Sequence, residues 1–146
     1  MGYWSIVEPV WDAINIDSPE VFAQTFGSVP RASGLMFAAH FCHSEICNGG
    51  FHQFFWNSTG VLAPEAVEGF RDIGQTQVAA LIEKGMSLFG SVYPRDRKER
   101  QARLTEVSRS SLDALDETFY SLIDSEAGGF TAAADRYAAI SQPQGG

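Results

Sequence analysis

The chain has 146 residues and 15.9 kDa, with 45% hydrophobic and 19% charged residues. This is one domain of ordinary size with enough apolar material for a self-sufficient core, which excludes disordered and collagen-like classes. Ten Lys and Arg against 18 Asp and Glu leave a net charge of −8, the wrong balance for direct nucleic-acid binding, where phosphates must be neutralised by cations.

From the N-terminus, Met1-Gly2-Tyr3-Trp4 lacks a basic stretch and meets Glu8 and Asp12 early, so no secretory leader is expected. Ile6 stands where a myristoylation signal needs Ser or Thr. Ser18-Pro19-Glu20 reads as a helix start, with a hydroxyl cap, Pro in the first turn and an acid at the positive end. Pro30, Pro64-Glu65 and Ser111 before Leu112-Asp113 read as further starts. Asn48-Gly49-Gly50 reads as a stop, because Asn and Gly tolerate the left-handed conformation that ends helices. Between these signals apolar residues recur every three or four positions: Leu35, Ala39, Cys42 and Ile46; Val78, Leu81, Ile82 and Met86; Leu112, Leu115, Phe119, Leu122 and Ile123. Strand-like alternation is nearly absent, so the expected fold is all-α, a single compact domain of about seven or eight short helices with brief turns. That domain is expected to span residues 1–140, with 141–146 (Ser-Gln-Pro-Gln-Gly-Gly) as a flexible tail. No apolar run is long enough to span a membrane. Two cysteines, Cys42 and Cys47, are too few for a disulfide framework and fit a reducing cytoplasm.

Charge is unevenly spread. Residues 95–109 carry +3, against −6 for 1–94 and −5 for 110–146. The basic stretch reads as a solvated helix laced with pairs such as Glu99–Arg103.

His40, His43 and Cys47 stand at i, i+3, i+7 and would share a helix face, the spacing from which soft ligands could approach zinc. The pattern matches no standard zinc module, and Cys42 continues the apolar stripe as a small core residue, so neither a metal nor a cofactor is expected. A small enzyme or metal-binding protein using the His40/His43/Cys47 face is the alternative from another class. Cys47 would sit near a helix C-terminus, whose dipole raises a thiol pKa and so opposes nucleophilic use. No nucleophile elbow or phosphate-binding loop is present, so an enzyme is less expected than a binding protein.

The most distinctive stretch is Glu45 to Asn57. Asn48-Gly49-Gly50 breaks one helix and lets the next begin at a sharp angle, and Phe51, Phe54 and Phe55 then bury one side of it. Gln53 and Asn57 stand i,i+4 apart, where their amides could bond each other or a nearby backbone end. The run Asn48, Gly49, Gly50, Phe51, Gln53, Phe54, Phe55, Asn57, preceded by Glu45, resembles the signature of a bacterial DNA-mimic-protein-like family, otherwise catalogued as a domain of unknown function. Ala66–Gly74, Leu112–Tyr120 and Phe130–Ile140 resemble later helices of that family, so the likeness covers roughly residues 35–140.

The resemblance implies an all-α fold and an acidic interaction protein that occupies the DNA-binding surface of a transcription factor or nucleoid protein. Its implied partner is a protein, with no direct nucleic acid and no membrane. Asp113, Asp116, Glu117 and Asp124, with Tyr120 among them, fall on one side of a helix and form the candidate partner-binding face; the aromatic motif is read as structural. An immunity- or antitoxin-type binder of a basic toxin is the second interaction reading. Trp4, Trp11 and Trp56 are candidates for exposed aromatics, and the apolar surplus permits a homodimer.

Overall fold

Hydroxyl and carboxylate caps set where three of the helices begin. The computed structural model describes residues 2–141 and contains eight α-helices: α1 (Trp4–Val7), α2 (Pro19–Phe26), α3 (Arg31–Trp56), α4 (Ala63–Asp72), α5 (Thr76–Ser87), α6 (Arg97–Leu104), α7 (Arg109–Ile123) and α8 (Phe130–Ser141). Short 3-10 turns follow α1, α3 and α7, and no strand occurs among the described residues. Ser18 Oγ accepts the Val21 N–H ahead of α2, and Asp96 accepts the Glu99 N–H ahead of α6. The start expected at Ser111 lies earlier. Ser108, in extended backbone, caps α7 through the Ser111 N–H at 3.1 Å, which leaves Ser111 in the first turn. Of the expected tail 141–146, Ser141 is the last residue of α8, and 142–146 lie outside the described residues.

The architecture is organised around α3, which touches α1, α4, α6, α7 and α8. Its first half buries Leu35, Met36, Ala39, Cys42 and Ile46. At Gly49-Gly50 the axis breaks, and Gly50 adopts φ 76°, ψ −178°, a left-handed conformation open to glycine. After the break Phe51, Phe54 and Phe55 are wholly buried, each contributing about 1.5–3 kcal/mol of transfer free energy. Phe119 of α7 meets Phe51 edge-on, and Phe70 of α4, Ile82 of α5 and Phe130 of α8 belong to the same core, all inaccessible to solvent or nearly so. Gly69 permits the close approach of α4 to α3: a Cβ there would stand 2.7 Å from the Leu35 carbonyl oxygen.

Candidate functional site

The kink in α3 is held from two sides. On one side, Glu45 accepts hydrogen bonds from Gln53 Nε2 (2.6 Å), Asn57 Nδ2 (3.2 Å) and Thr59 Oγ1 (3.0 Å), tying the turn before the break to the helix after it. Asn48 Nδ2 adds a bond to Gln53 Oε1. The Gln53 and Asn57 amides thus converge on Glu45 rather than on each other, because the break turns both toward that carboxylate. On the other side, Asp116 Oδ1 accepts the Phe51 N–H at 2.7 Å, a donor in the first turn after the break. The spacing of the aromatic motif carries no signal of this clasp, since Asp116 lies 65 residues away from Phe51.

The basic segment is largely the solvated helix its charges suggest, with one exception. The Glu99–Arg103 pair forms at 3.2 Å, but Arg100 is fully buried. Its Nε donates to the Phe55 carbonyl and one terminal nitrogen to the Asn57 carbonyl, both at 2.7 Å, while the other terminal nitrogen reaches the Pro94 and Arg95 carbonyls. Arg97 Nε and Gln101 Nε2 both donate to the Trp56 carbonyl. The last carbonyls of α3 have no intrahelical partner and carry partial negative charge, so arginines are drawn onto them. Arg95 pairs with Glu65 at 2.8 Å, and Arg103 donates to the Phe89 carbonyl. Arg100 therefore faces the chain itself, while Arg97, Lys98 and Arg103 keep contact with solvent.

The candidate acidic side of α7 divides into two parts. Leu112, Leu115, Phe119 and Ile123 form its buried face. Asp116 is half-buried at the clasp, where desolvation raises its pKa against the opposing pull of the Phe51 N–H. Tyr120 donates its hydroxyl to the Ile46 carbonyl at 3.0 Å, and its ring stays exposed. Asp113, Glu117 and Asp124 are exposed, and none of the ion pairs among the described residues includes them. Asp124 is the C-cap of α7 rather than a helical residue, and its charge acts on His43 and Cys47. Arg109, at the start of α7, is the cation whose charge acts on Asp116.

The histidines and thiols have structural surroundings. The Tyr3 hydroxyl and His40 Nδ1 share a hydrogen bond of 2.8 Å, and Trp4 meets the His40 ring edge-on. His43 stacks on Phe130 with centroids 4.6 Å apart. Burial lowers the pKa of both imidazoles. Cys42 is buried in the core with its thiol pKa pushed well up by desolvation, and Cys47, although exposed, is raised as well. Among the described residues no group of three or more His, Cys, Asp or Glu is placed to hold a metal ion, and no helix is long and apolar enough to cross a membrane.

These features define an all-α protein built on one kinked central helix, with exposed carboxylates along a flanking helix. The chain belongs to the DMP19-like protein family, whose model matches residues 27–141. No curated protein and no solved structure matches the chain.

Proposed function

We propose that the chain is a protein-binding module of DNA-mimic type, presenting the exposed side of α7 to the cationic DNA-binding surface of a transcription factor or nucleoid protein. The observation that carries this reading is the set Asp113, Glu117 and Asp124, exposed and outside every ion pair of the described residues, in a stretch (110–135) with no Lys or Arg. The burial of Arg100 and the pairing of Arg95 with Glu65 support it, since those cations would otherwise oppose a basic partner. Family membership is consistent with it.

Magnitudes define what these carboxylates do. The rise from Asp113 to Asp124 is about 16 Å, over which one DNA strand carries about five phosphates. Three exposed pairs at about 0.2–1 kcal/mol each supply no more than about 3 kcal/mol, whereas micromolar affinity needs about 8. The acids therefore steer and orient the encounter, and apolar contact, with the Tyr120 ring at the centre of the row, supplies the rest.

The test is capture from a lysate of the source organism with stepwise salt elution, comparing the native chain with D113N/E117Q/D124N. The expected outcome is a basic DNA-binding protein that elutes at moderate salt, is displaced by duplex DNA and is lost with the variant, whose melting temperature stays close to native. Equal capture by the variant, or a salt-resistant partner that ignores duplex DNA, overturns the reading. The second of these results would fit an immunity-type binder instead.

A further inference from the structure

Residues 2–26 precede the segment the family model matches, and they carry an aromatic surface of their own. Trp4 of α1 and Trp11, just after the 3-10 turn that follows, lie with ring centroids 5.0 Å apart. Trp11 stacks on Phe41 at 4.9 Å and meets buried Phe37 edge-on, so the pair is seated on the outer side of α3. Both indoles are nonetheless 41% and 36% exposed. Burial lowers the pKa of His40, which lies within ring contact of both indoles, and so disfavours its cationic form.

The rim of this surface is acidic. Glu8 and Asp12 are exposed and lie in none of the ion pairs among the described residues. Glu8 opens the 3-10 turn one helical turn after Trp4, where residues three apart such as Glu8 and Trp11 eclipse, and Asp12 follows Trp11 directly in the chain. No Lys or Arg occurs before Arg31. Flat, electron-rich rings beside unpaired carboxylates complement a cation that is itself planar and weakly hydrated: a guanidinium can lie on an indole face while its N–H fork meets a carboxylate, whereas a compact ammonium gives up more hydration and offers no fork. A second copy of the chain would set Glu8 and Asp12 against like charges, and anionic lipid would be repelled by them.

We infer that Trp4, Trp11, Glu8 and Asp12 form a docking surface for an arginine-bearing segment of a partner protein, separate from the α7 face. Its test uses the full chain and two amidated probe peptides, Gly-Arg-Gly-Arg-Gly and Gly-Lys-Gly-Lys-Gly, followed through the indole N–H resonances. The arginine probe is expected to shift Trp4 and Trp11 and leave Trp56 unmoved as an internal reference. The lysine probe is expected to bind about fivefold more weakly, and E8Q/D12N to weaken the arginine probe by about the same factor. Both substitutions are on exposed side chains, so the variant should keep its native melting temperature; W11F then tests the ring itself. D113N/E117Q/D124N should leave these shifts unchanged, which keeps this surface distinguishable from the α7 reading. Absence of shifts at millimolar peptide, equal response to arginine and lysine, or full binding by E8Q/D12N overturns the inference. So does peptide-free self-association that broadens the Trp4 and Trp11 signals, which would make a second copy the occupant.

Discussion

Asp116 Oδ1 accepts the Phe51 backbone N–H at 2.7 Å, and the same carboxylate occupies the space that a Cβ on Gly50 would need. The kink of α3 and the seating of α7 are thus one feature, made by two positions far apart in sequence. D116A should destabilise the fold by about 1–3 kcal/mol, since it leaves a part-buried donor without a partner, while D116N keeps an acceptor and should recover most of that. G50A should cost at least as much, combining a positive φ of 76° with a clash against Asp116. Urea unfolding of the three variants checks this; a native midpoint for D116A would show that the clasp is dispensable.

Arg100 should be among the most sensitive positions of the chain. R100M would strip donors from the Phe55, Asn57, Pro94 and Arg95 carbonyls together, a loss of about 3 kcal/mol or more. R100K should recover little, because one ammonium cannot reproduce the fork geometry. Lys98, exposed on the same helix, is the control: K98A should shift the melting temperature hardly at all.

Glu45 gathers three neutral donors and has no ion pair among the described residues. E45Q presents an NH2 group to at least one of those donors and should destabilise the corner by about 1–3 kcal/mol, as a buried polar group loses its match. Q53E should be comparably harmful, setting two carboxylates together. Thermal unfolding measures both, and the backbone amides of Phe51–Trp56 should exchange faster in each variant.

Stability should fall as the solution is acidified below neutrality. Burial is the leading cause that lowers the pKa of His40, His43 and His52 in the folded chain. A depressed folded pKa means that the unfolded state binds the proton more tightly, so this contribution is complete above the unfolded imidazole pKa near ~6.5 and is lost as pH drops below it toward the folded values. Melting temperatures measured from about pH 7.5 to about pH 5.5, above the carboxylate range, should decline, and H43F, which preserves the stack on Phe130, should flatten the slope. An unchanged melting temperature across that window would contradict the burial of these rings.

Periodicity and punctuation were enough to determine the all-α class, the break at Asn48-Gly49-Gly50 and the burial of Cys42, Phe51, Phe54 and Phe55, because these follow from backbone preference and from which face of a helix is apolar. The exposure of Trp4, Trp11 and Trp56 was also legible as a candidate. Local spacing could not show that Gln53 and Asn57 meet on Glu45, that Arg100 is buried at the end of α3, or that Asp116 belongs to the kink while Asp113, Glu117 and Asp124 stay exposed. A charged residue looks alike in sequence whether it faces water or a carbonyl. Its fate depends on which helix end or bent backbone the tertiary fold brings within hydrogen-bond reach, and only the packing of α6 and α7 onto α3 decides that.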